Sequence, residues 1–365
     1  MGYSHDSEEI IFGDKTNYFR IPALLYIGEW NKFLAFAEKR TGGNNDEYAE
    51  NLVMRTGTRD SDKKVKWSPV EDLRQASKHG YRTMNPCPVF ETATGKLFLF
   101  FICIKGKKKE GHLKAGETRL CFVTTTDVSK PWNDLKDVTD DIEVDGKKLS
   151  EYQTFAVGPG HGLEVKTSGH GTRLLIPAYV KSGKGSHSLV FYSDNGGESW
   201  QAGEHLSEET GECQVAEIQG SELYCNARTL RSEKYRIERL SSDTGARFTK
   251  LLERSLPETP HGCEGSVLGF PAPDSSNTWL LFSHPQSGSK NPICWKRFDL
   301  SIYLRESLKG SWGKPVIIHP GNSGYSDLTQ CEEEHHFACL MECGETKRPR
   351  IVFKEFTLRP PYYWP

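Results

Sequence analysis

No apolar run in this chain approaches the ~20 residues that a membrane-crossing helix needs. Neither sign of charge dominates either, with 47 Lys and Arg against 49 Asp and Glu in 365 residues. The first absence argues against a helical membrane span. The second excludes a polyelectrolyte partner, so nucleic acid is not expected. The opening residues Met1-Gly2-Tyr3-Ser4-His5-Asp6 have no basic region and no apolar one, and so do not read as a signal peptide. Asp6 stands where an N-myristoylation pattern wants Ser or Thr. Cys-x-x-Cys is missing too, and Cys339 and Cys343 have no partner motif, so no zinc site is expected. Ten cysteines are few for this length. Cys103, Cys121 and Cys225 sit inside apolar runs, as free thiols do in a reducing compartment. The expected location is not an extracellular one.

Helical periodicity is scarce. Only Val70–Ser77 and Leu300–Leu304 read as short helices. What is present instead is a series of short runs rich in β-branched and aromatic residues, punctuated by Gly, Pro, Asn and Asp. They are Phe19–Ile27, Phe33–Ala37, Leu97–Ile104, Leu120–Thr125, Leu174–Val180, Leu189–Tyr192, Leu223–Asn226, Trp279–Phe282, Phe337–Met341 and Ile351–Phe356. Many strands without helical crossovers predict an all-β sandwich, barrel or propeller. No linker is visible, so residues 1–365 are expected to form one domain.

Four stretches narrow this. In Asn17-Tyr18-Phe19-Arg20-Ile21-Pro22-Ala23-Leu24, Pro22 belongs on an edge or at a strand's first residues. That leaves the Arg20 fork free to meet a carboxylate, although alone it reads as a surface arginine. Ser193-Asp194-Asn195-Gly196-Gly197-Glu198-Ser199-Trp200 and Ser241-Ser242-Asp243-Thr244-Gly245-Ala246-Arg247-Phe248 share a Ser-x-Asp-x-Gly-type turn. Thr125-Thr126-Asp127-Val128-Ser129-Lys130-Pro131-Trp132 is a looser version. In such a turn a short polar side chain caps backbone donors, Gly takes a positive φ, and the aromatic packs between sheets.

Phe19-Arg20-Ile21-Pro22 resembles the signature of the sialidases, and the three turns resemble that family's Asp box, Ser-x-Asp-x-Gly-x-Thr-Trp. Only the second turn keeps both Asp and Gly, and it ends in Phe248; Asn195 and Ser129 are the departures in the other two. The turns recur roughly 50 to 70 residues apart, about the size of a four-stranded blade with its loops. The resemblance implies a six-bladed β-propeller with a core of about residues 10–358, in which the Asp boxes are structural. The stretches Phe36-Ala37-Glu38-Lys39-Arg40, Arg82-Thr83-Met84-Asn85-Pro86-Cys87-Pro88 and Phe155-Ala156-Val157-Gly158-Pro159-Gly160-His161-Gly162 resemble the cytosolic and plasma-membrane-associated branch, leaning to its ganglioside member.

Sialic acid carries a carboxylate on its anomeric carbon, so an enzyme acting on it needs cations there. The resemblance implies an arginine triad of Arg20, Arg228 and Arg297, with Glu342 supporting the first. Taken one at a time, each reads as a solvated surface residue. Tyr325 matches the family's nucleophile. A carboxylate nucleophile would be repelled by the substrate's own carboxylate, and sialidases depart from the two-carboxylate scheme by using tyrosine. A phenol with pKa near ~10 needs roughly 4 kcal/mol of help at neutral pH. Glu217 matches the base partner, and neighbouring arginines are expected to lower that cost. In isolation Tyr325 reads as a packed aromatic with a bonded hydroxyl. Asp46, in a Gly- and Asn-rich loop, matches the acid/base, with Glu47 beside it as a competitor.

Glu38, Met84, Asn85 and Glu110 match pocket-lining positions, and Arg40 matches one that also meets the substrate carboxylate. Tyr179 matches a contact to the glycerol side chain. Two departures bear on that side: Lys181 replaces a second Tyr, and Glu264 stands where relatives have Gln. Together these imply a retaining exo-α-sialidase acting on gangliosides, oligosaccharides or glycoproteins, with no metal or cofactor. It would be cytoplasmic or peripheral at the plasma membrane. The rivals are a catalytically silent sialic-acid-binding propeller and a plain interaction propeller. Lys105-Gly106-Lys107-Lys108-Lys109 reads as a solvated loop, with contact to anionic lipid as the alternative. The aromatic tail Arg359–Pro365 is expected to dock on the propeller, and His335 and His336 to form an exposed turn.

Overall fold

The computed structural model describes residues 8–358, apart from positions 168, 170 and 184 and the segments 231–233, 253–254, 274–276, 288–296 and 346–347. The first seven residues and the tail Arg359–Pro365 therefore lie outside the described residues, as do Cys294 and Lys296.

Strands dominate because apolar residues recur at every second position, which puts them on one face of a pleated chain. Leu300, Ile302 and Leu304 illustrate this: all are buried on the strand Arg297–Arg305, where a short helix is expected from composition. Val70–Ser77 is likewise not helical. Its Glu71–Asp72 pairs with Val53 and Met54, and a turn follows. The only helical pieces among the described residues are one-turn 3-10 segments, two of which begin at Asp46 and Glu110.

All the pairings are antiparallel, and most join strands that are neighbours in sequence. The first sheet runs Tyr18–Ile27, Lys32–Arg40, Ala49–Arg59, Val65–Trp67, and the second Tyr81–Glu91, Lys96–Lys105, Thr118–Thr125, Lys136–Asp137. The third is built on Thr154–Val157, Thr172–Ser182, Gly185–Ser193 and Gln201–Ala202. The fourth is built on Thr210–Gln219, Glu222–Thr229, Ile237–Ser241 and Lys250–Leu251. A seven-stranded sheet follows, from Ser266–Pro271 through Thr278–Ser287, Arg297–Arg305, Val316–Gln330, His336–Glu345 and Arg348–Thr357 to Glu9–Phe12. Its long strand Val316–Gln330 pairs one way up to Asn322 and the other way from Ser323.

The core lies between sheets, not within them. Phe36 of the first sheet packs with Phe101 and Trp132 of the second; Phe100 and Phe122 pack with Phe191 and Trp200 of the third. Leu175 meets Cys225 and Phe248, Tyr224 meets Phe282 and Tyr303, and Phe270 meets Phe337 and Phe356. Finally Phe353 and Leu340 pack with Phe33 of the first sheet, so the last sheet closes on the first. Fully burying one such ring contributes about 1.5–3 kcal/mol, so the sheets are held mainly by their neighbours. The arrangement is propeller-like.

The three Asp-box-like turns occupy one place, between the last two strands of the second, third and fourth sheets. Ser193 Oγ accepts from Gly197 N at 2.9 Å, and Ser241 Oγ from Gly245 N at 2.9 Å; both glycines have positive φ, 82° and 85°. Trp132, Trp200 and Phe248 are the aromatics that enter the inter-sheet cores. Trp312, after Ser307-Leu308-Lys309-Gly310-Ser311, takes the same place in the next sheet without any recognisable box.

The axis is polar and buried. Asp327 accepts from Leu24 N at 2.8 Å and Ser266 Oγ at 2.8 Å, and lies 2.7 Å from His161 Nδ1, so one carboxylate ties together three parts of the ring. Glu264 is buried beneath Tyr325, where its Oε2 accepts from Ser326 N at 3.0 Å; Oε1 has no partner among the described residues. Burial pushes its carboxyl well above the ordinary range; the Ser326 amide opposes this, while Asp327 and Glu212 add to it. A raised acid contributes its full stability below its ordinary pKa of ~4.3 and loses it as pH rises toward the folded value. Glu264→Gln removes that titration. The stability gain of the variant over the parent should therefore grow from pH 5 to 8, by up to ~1.4 kcal/mol per pH unit. Melting temperatures across that range check this, and a gap that stays flat would mean that Glu264 is ionised in place.

Candidate active site

The inner strands break register where the site is built. Interruptions fall between Arg20 and Ala23, between Met84 and Cys87, and between Ser323 and Ser326. Ile21 and Asn85 have φ of 61° and 59°, uncommon for residues with a side chain and most of all for a β-branched one. Buried carboxylates hold these bulges. Glu342 Oε1 accepts from Ile21 N at 2.8 Å and Oε2 from Tyr325 N at 3.2 Å, while Glu38 Oε1 accepts from Asn85 N at 2.8 Å. Gly324 is required here, because a Cβ on it would lie 2.4 Å from Glu342 Oε2. A bulge re-aims the side chain it carries, and each of these turns one toward the axis.

Glu342 also receives Arg20 in bidentate fashion, Nε to Oε1 at 2.9 Å and Nη2 to Oε2 at 3.0 Å. Burial alone would push this carboxyl up; the Arg20 charge and the hydrogen bonds outweigh it and hold the group below its ordinary value. Arg20 and Arg297 lie over the Tyr325 ring, their Cζ atoms 5.2 and 5.4 Å from its centroid. Arg228 Nη1 donates to the Tyr325 hydroxyl at 2.9 Å. The arginines expected from three distant segments thus converge on one phenol.

The Tyr325 hydroxyl donates to Glu212 Oε1 at 2.5 Å, and the other Glu212 oxygen takes Arg228 Nη1 at 2.5 Å. The carboxylate at the phenol is Glu212, not Glu217. Both lie on Thr210–Gln219, but five residues put them on opposite faces and about 16 Å apart along a strand. Hairpin register distinguishes them. The turn at Gly220 pairs Glu217 with Leu223 and, further back, brings Glu212 opposite Arg228, between the pairs Thr210–Thr229 and Cys213–Ala227. The register shifts between Glu217 and Gln219 and between Thr210 and Cys213 keep that pairing from being counted off the sequence. The arginines do not bring the phenol down. Burial and the Glu212 charge push Tyr325 well above its ordinary value, and Arg228 and Arg297 only offset this.

Asp46, Met84, Asn85, Glu110 and Tyr179 line the same cleft as Arg20, Arg228 and Tyr325. Tyr179 donates to Glu110 Oε1 at 3.0 Å, and Lys181 Nζ lies 3.2 Å from Glu110 Oε2, so the unexpected lysine is part of the wall. Ile102, Ile104 and Phe155 add an apolar side that local motifs did not reveal. Arg82, also missed, lines the cleft and donates to the carbonyls of Gly106 and Lys108, which brings the lysine-rich loop to the rim. Glu47 faces Lys109 at 3.8 Å. Three expected lining residues are displaced. Glu38 and Arg40 are fully buried behind the wall, bonded to each other, and Glu264 lies beneath the floor. No contact of Arg40 with a substrate carboxylate is open from there.

A phenol paired with a carboxylate, facing several guanidiniums in one cleft, suits attack on an anionic substrate. The model of the BNR repeat-like domain matches residues 31–337. The chain is 40% identical to Sialidase-3 of Homo sapiens, over 95% of this chain and 90% of that protein. It is 36% identical to Sialidase-2 of Mus musculus, over 96% and 95%. Among solved structures, the intramolecular trans-sialidase from Ruminococcus gnavus superposes with a TM-score of 0.80 over 99% of both chains at 16% identity. The Trypanosoma rangeli sialidase superposes with 0.74 over 96% of this chain and 58% of that one, at 18% identity. Those two speak for the fold. Identity at the level of the first two, sustained across nearly the whole of both partners, settles the family: this chain belongs to the sialidases and is an exo-α-sialidase.

Proposed function

We propose that the chain is a retaining exo-α-sialidase in which Tyr325 is the nucleophile, Glu212 its base and Asp46 the acid/base. The observation that carries this reading is the hydroxyl of Tyr325 held between Glu212 and Arg228. Because the phenol is held protonated, attack on the anomeric carbon requires Glu212 to take its proton as the bond forms. Asp46 protonates the leaving oxygen. In the second step Asp46 takes a proton from water, which displaces the tyrosine, and the phenol regains its proton from Glu212. Two inversions give net retention. Arg20, Arg228 and Arg297 bind the substrate carboxylate, and Glu110, Tyr179 and Lys181 face its polyol side.

The same reading takes the fold as one domain with six blades. The seven-stranded sheet then counts as two blades joined through Val316–Gln330, and the inter-sheet cores that close in a ring support this. Gangliosides are the proposed substrates, alongside oligosaccharides and glycoproteins, with the enzyme cytoplasmic or peripheral at an anionic membrane. Every cysteine among the described residues is buried and unpaired, which suits a reducing compartment. Among the described residues no helix is long and apolar enough to cross a membrane.

Tyr325→Phe and Glu212→Gln should each abolish nearly all turnover of a fluorogenic sialoside while the melting temperature changes little. Glu217→Gln should stay within about twofold of the parent, its carboxylate lying on the other face. Substantial turnover in Tyr325→Phe would remove the nucleophile assignment.

Arg228→Lys should cost more than about tenfold in kcat/KM, ~1.4 kcal/mol, because an ammonium cannot serve Tyr325, Glu212 and a substrate carboxylate at once. Steady-state kinetics within twofold of the parent would take Arg228 out of the site.

At the rim, Lys108 and Lys109 already pair with Glu117 and Glu47, so Lys105 and Lys107 are the better candidates for meeting lipid. Each contributes about 1 kcal/mol near an anionic surface. Changing both to Ser should lower ganglioside hydrolysis in anionic vesicles and its salt dependence, and leave a soluble sialyl-oligosaccharide untouched. Equal rates on vesicles would make the loop solvated surface only.

A further inference from the structure

Arg228 and Arg297 come from different sheets, yet one short turn holds both. It is Thr259-Pro260-His261-Gly262, in the loop that leads from the fourth sheet into the seven-stranded one. Gly262 N donates to the Thr259 carbonyl at 2.8 Å, and His261 and Gly262 take φ of 64° and 69°, so the chain folds back sharply. The His261 carbonyl accepts from Arg228 Nη2 at 2.8 Å, and the next one, Gly262, from Arg297 Nη2 at 2.7 Å. The turn packs directly against Arg228. A Cβ on Gly262 would lie 2.5 Å from the Thr229 carbonyl and 2.8 Å from the Arg228 side chain. Carbonyls suit this place, because each takes one guanidinium N–H without cancelling the charge.

The turn's own bond closes it, and Glu258 N to the Lys234 carbonyl at 2.9 Å anchors the chain before it. What ties both of its ends to the strand of Arg228 is the buried Glu258 side chain. Oε1 accepts from Thr259 N at 2.9 Å and from Cys263 N at 3.1 Å, on either side of the turn. Oε2 accepts from Thr229 N at 3.2 Å, next to Arg228, and from Arg236 Nη1 at 2.9 Å. Arg236 Nη1 also donates to the Cys263 carbonyl at 2.6 Å, and His284 Nε2 lies 3.1 Å from Glu258 Oε1. Burial pushes the Glu258 carboxyl up, but the Arg236 charge, His284 and the amides outweigh it and hold it at about 2. Glu258 and Arg236 thus neutralise each other and leave the cleft arginines their charge.

We propose that Glu258 is a positioning residue for the cationic site. Through the turn it sets the spacing of Arg228 and Arg297, so that one carboxylate fits both, and it touches no substrate itself. This rests on the reading that those arginines bind the substrate carboxylate.

The test measures inhibition by the unsaturated (didehydro) analogue of sialic acid and by its carboxamide, which has nearly the same shape without the charge. The parent should favour the acid by about tenfold or more, because charge-assisted hydrogen bonds are the stronger ones. Glu258→Gln keeps the size but puts two donors where only acceptors fit. It should weaken inhibition by the acid about fivefold or more and by the amide less than about twofold, so the preference shrinks. KM for a sialyl-oligosaccharide should rise alongside. A merely loosened site would weaken both inhibitors alike; that result, or an unchanged preference, overturns the proposal. If the parent itself does not favour the acid, the arginine reading fails first and the positioning role falls with it. Should Glu258→Gln not fold, Gly262→Ala presses the turn away from Arg228 and leaves Glu258 in place. A smaller preference for the acid there supports the proposal, and an intact one overturns it.

Discussion

A carboxylate cannot be buried alone, and Glu38, Glu264, Asp327 and Glu342 all lie buried about the axis of this ring. Each is satisfied in a way that fixes something else. Glu342 accepts from the amides of Ile21 and Tyr325 while binding Arg20, so it sets two bulges and one guanidinium at once. Glu38 does the same for Asn85 and Arg40. Asp327 ties the inner strands. Glu264 is the exception, with burial favouring its protonated form, in which it is nearly isosteric with glutamine.

This polar axis explains how so many guanidiniums stand together. Arg20 and Arg228 each face a carboxylate, and Arg297 is held by the Gly262 carbonyl at 2.7 Å. The charges that would repel are thus tied before substrate arrives, and the cleft needs little rearrangement to receive an anion. The same balance keeps the phenol neutral. Burial and Glu212 together outweigh the arginines at Tyr325 and hold its proton in place.

Strands such as Lys96–Lys105 and His336–Glu345 were legible because they carry unbroken apolar runs, Leu97–Ile104 and Phe337–Met341. The inner strands Tyr81–Glu91, Thr210–Gln219 and Val316–Gln330 were not. They carry Pro86, Pro88, Gln214, Asp327 and the bulges, which break the period that marks a strand. Pro86 and Pro88 are tolerated because Tyr81–Glu91 is the edge of its sheet, as expected for Pro22. Trp312 shows the converse: packing fixed its place although the turn before it lacks the box residues.

Composition and alternation by themselves determined an all-β chain, and the short motifs determined its family resemblance and most of its site. Those signals are local, and a strand's pattern or a Phe-Arg-Ile-Pro segment survives on its own. The partner of Tyr325 was decided only by the folded hairpin, because which of two glutamates faces Arg228 depends on register and not on residue type. Likewise only burial told Arg40 and Glu264 from cleft residues. Sequence says which side chains can ionise; tertiary packing decides which of them meet water, and so which can meet a substrate.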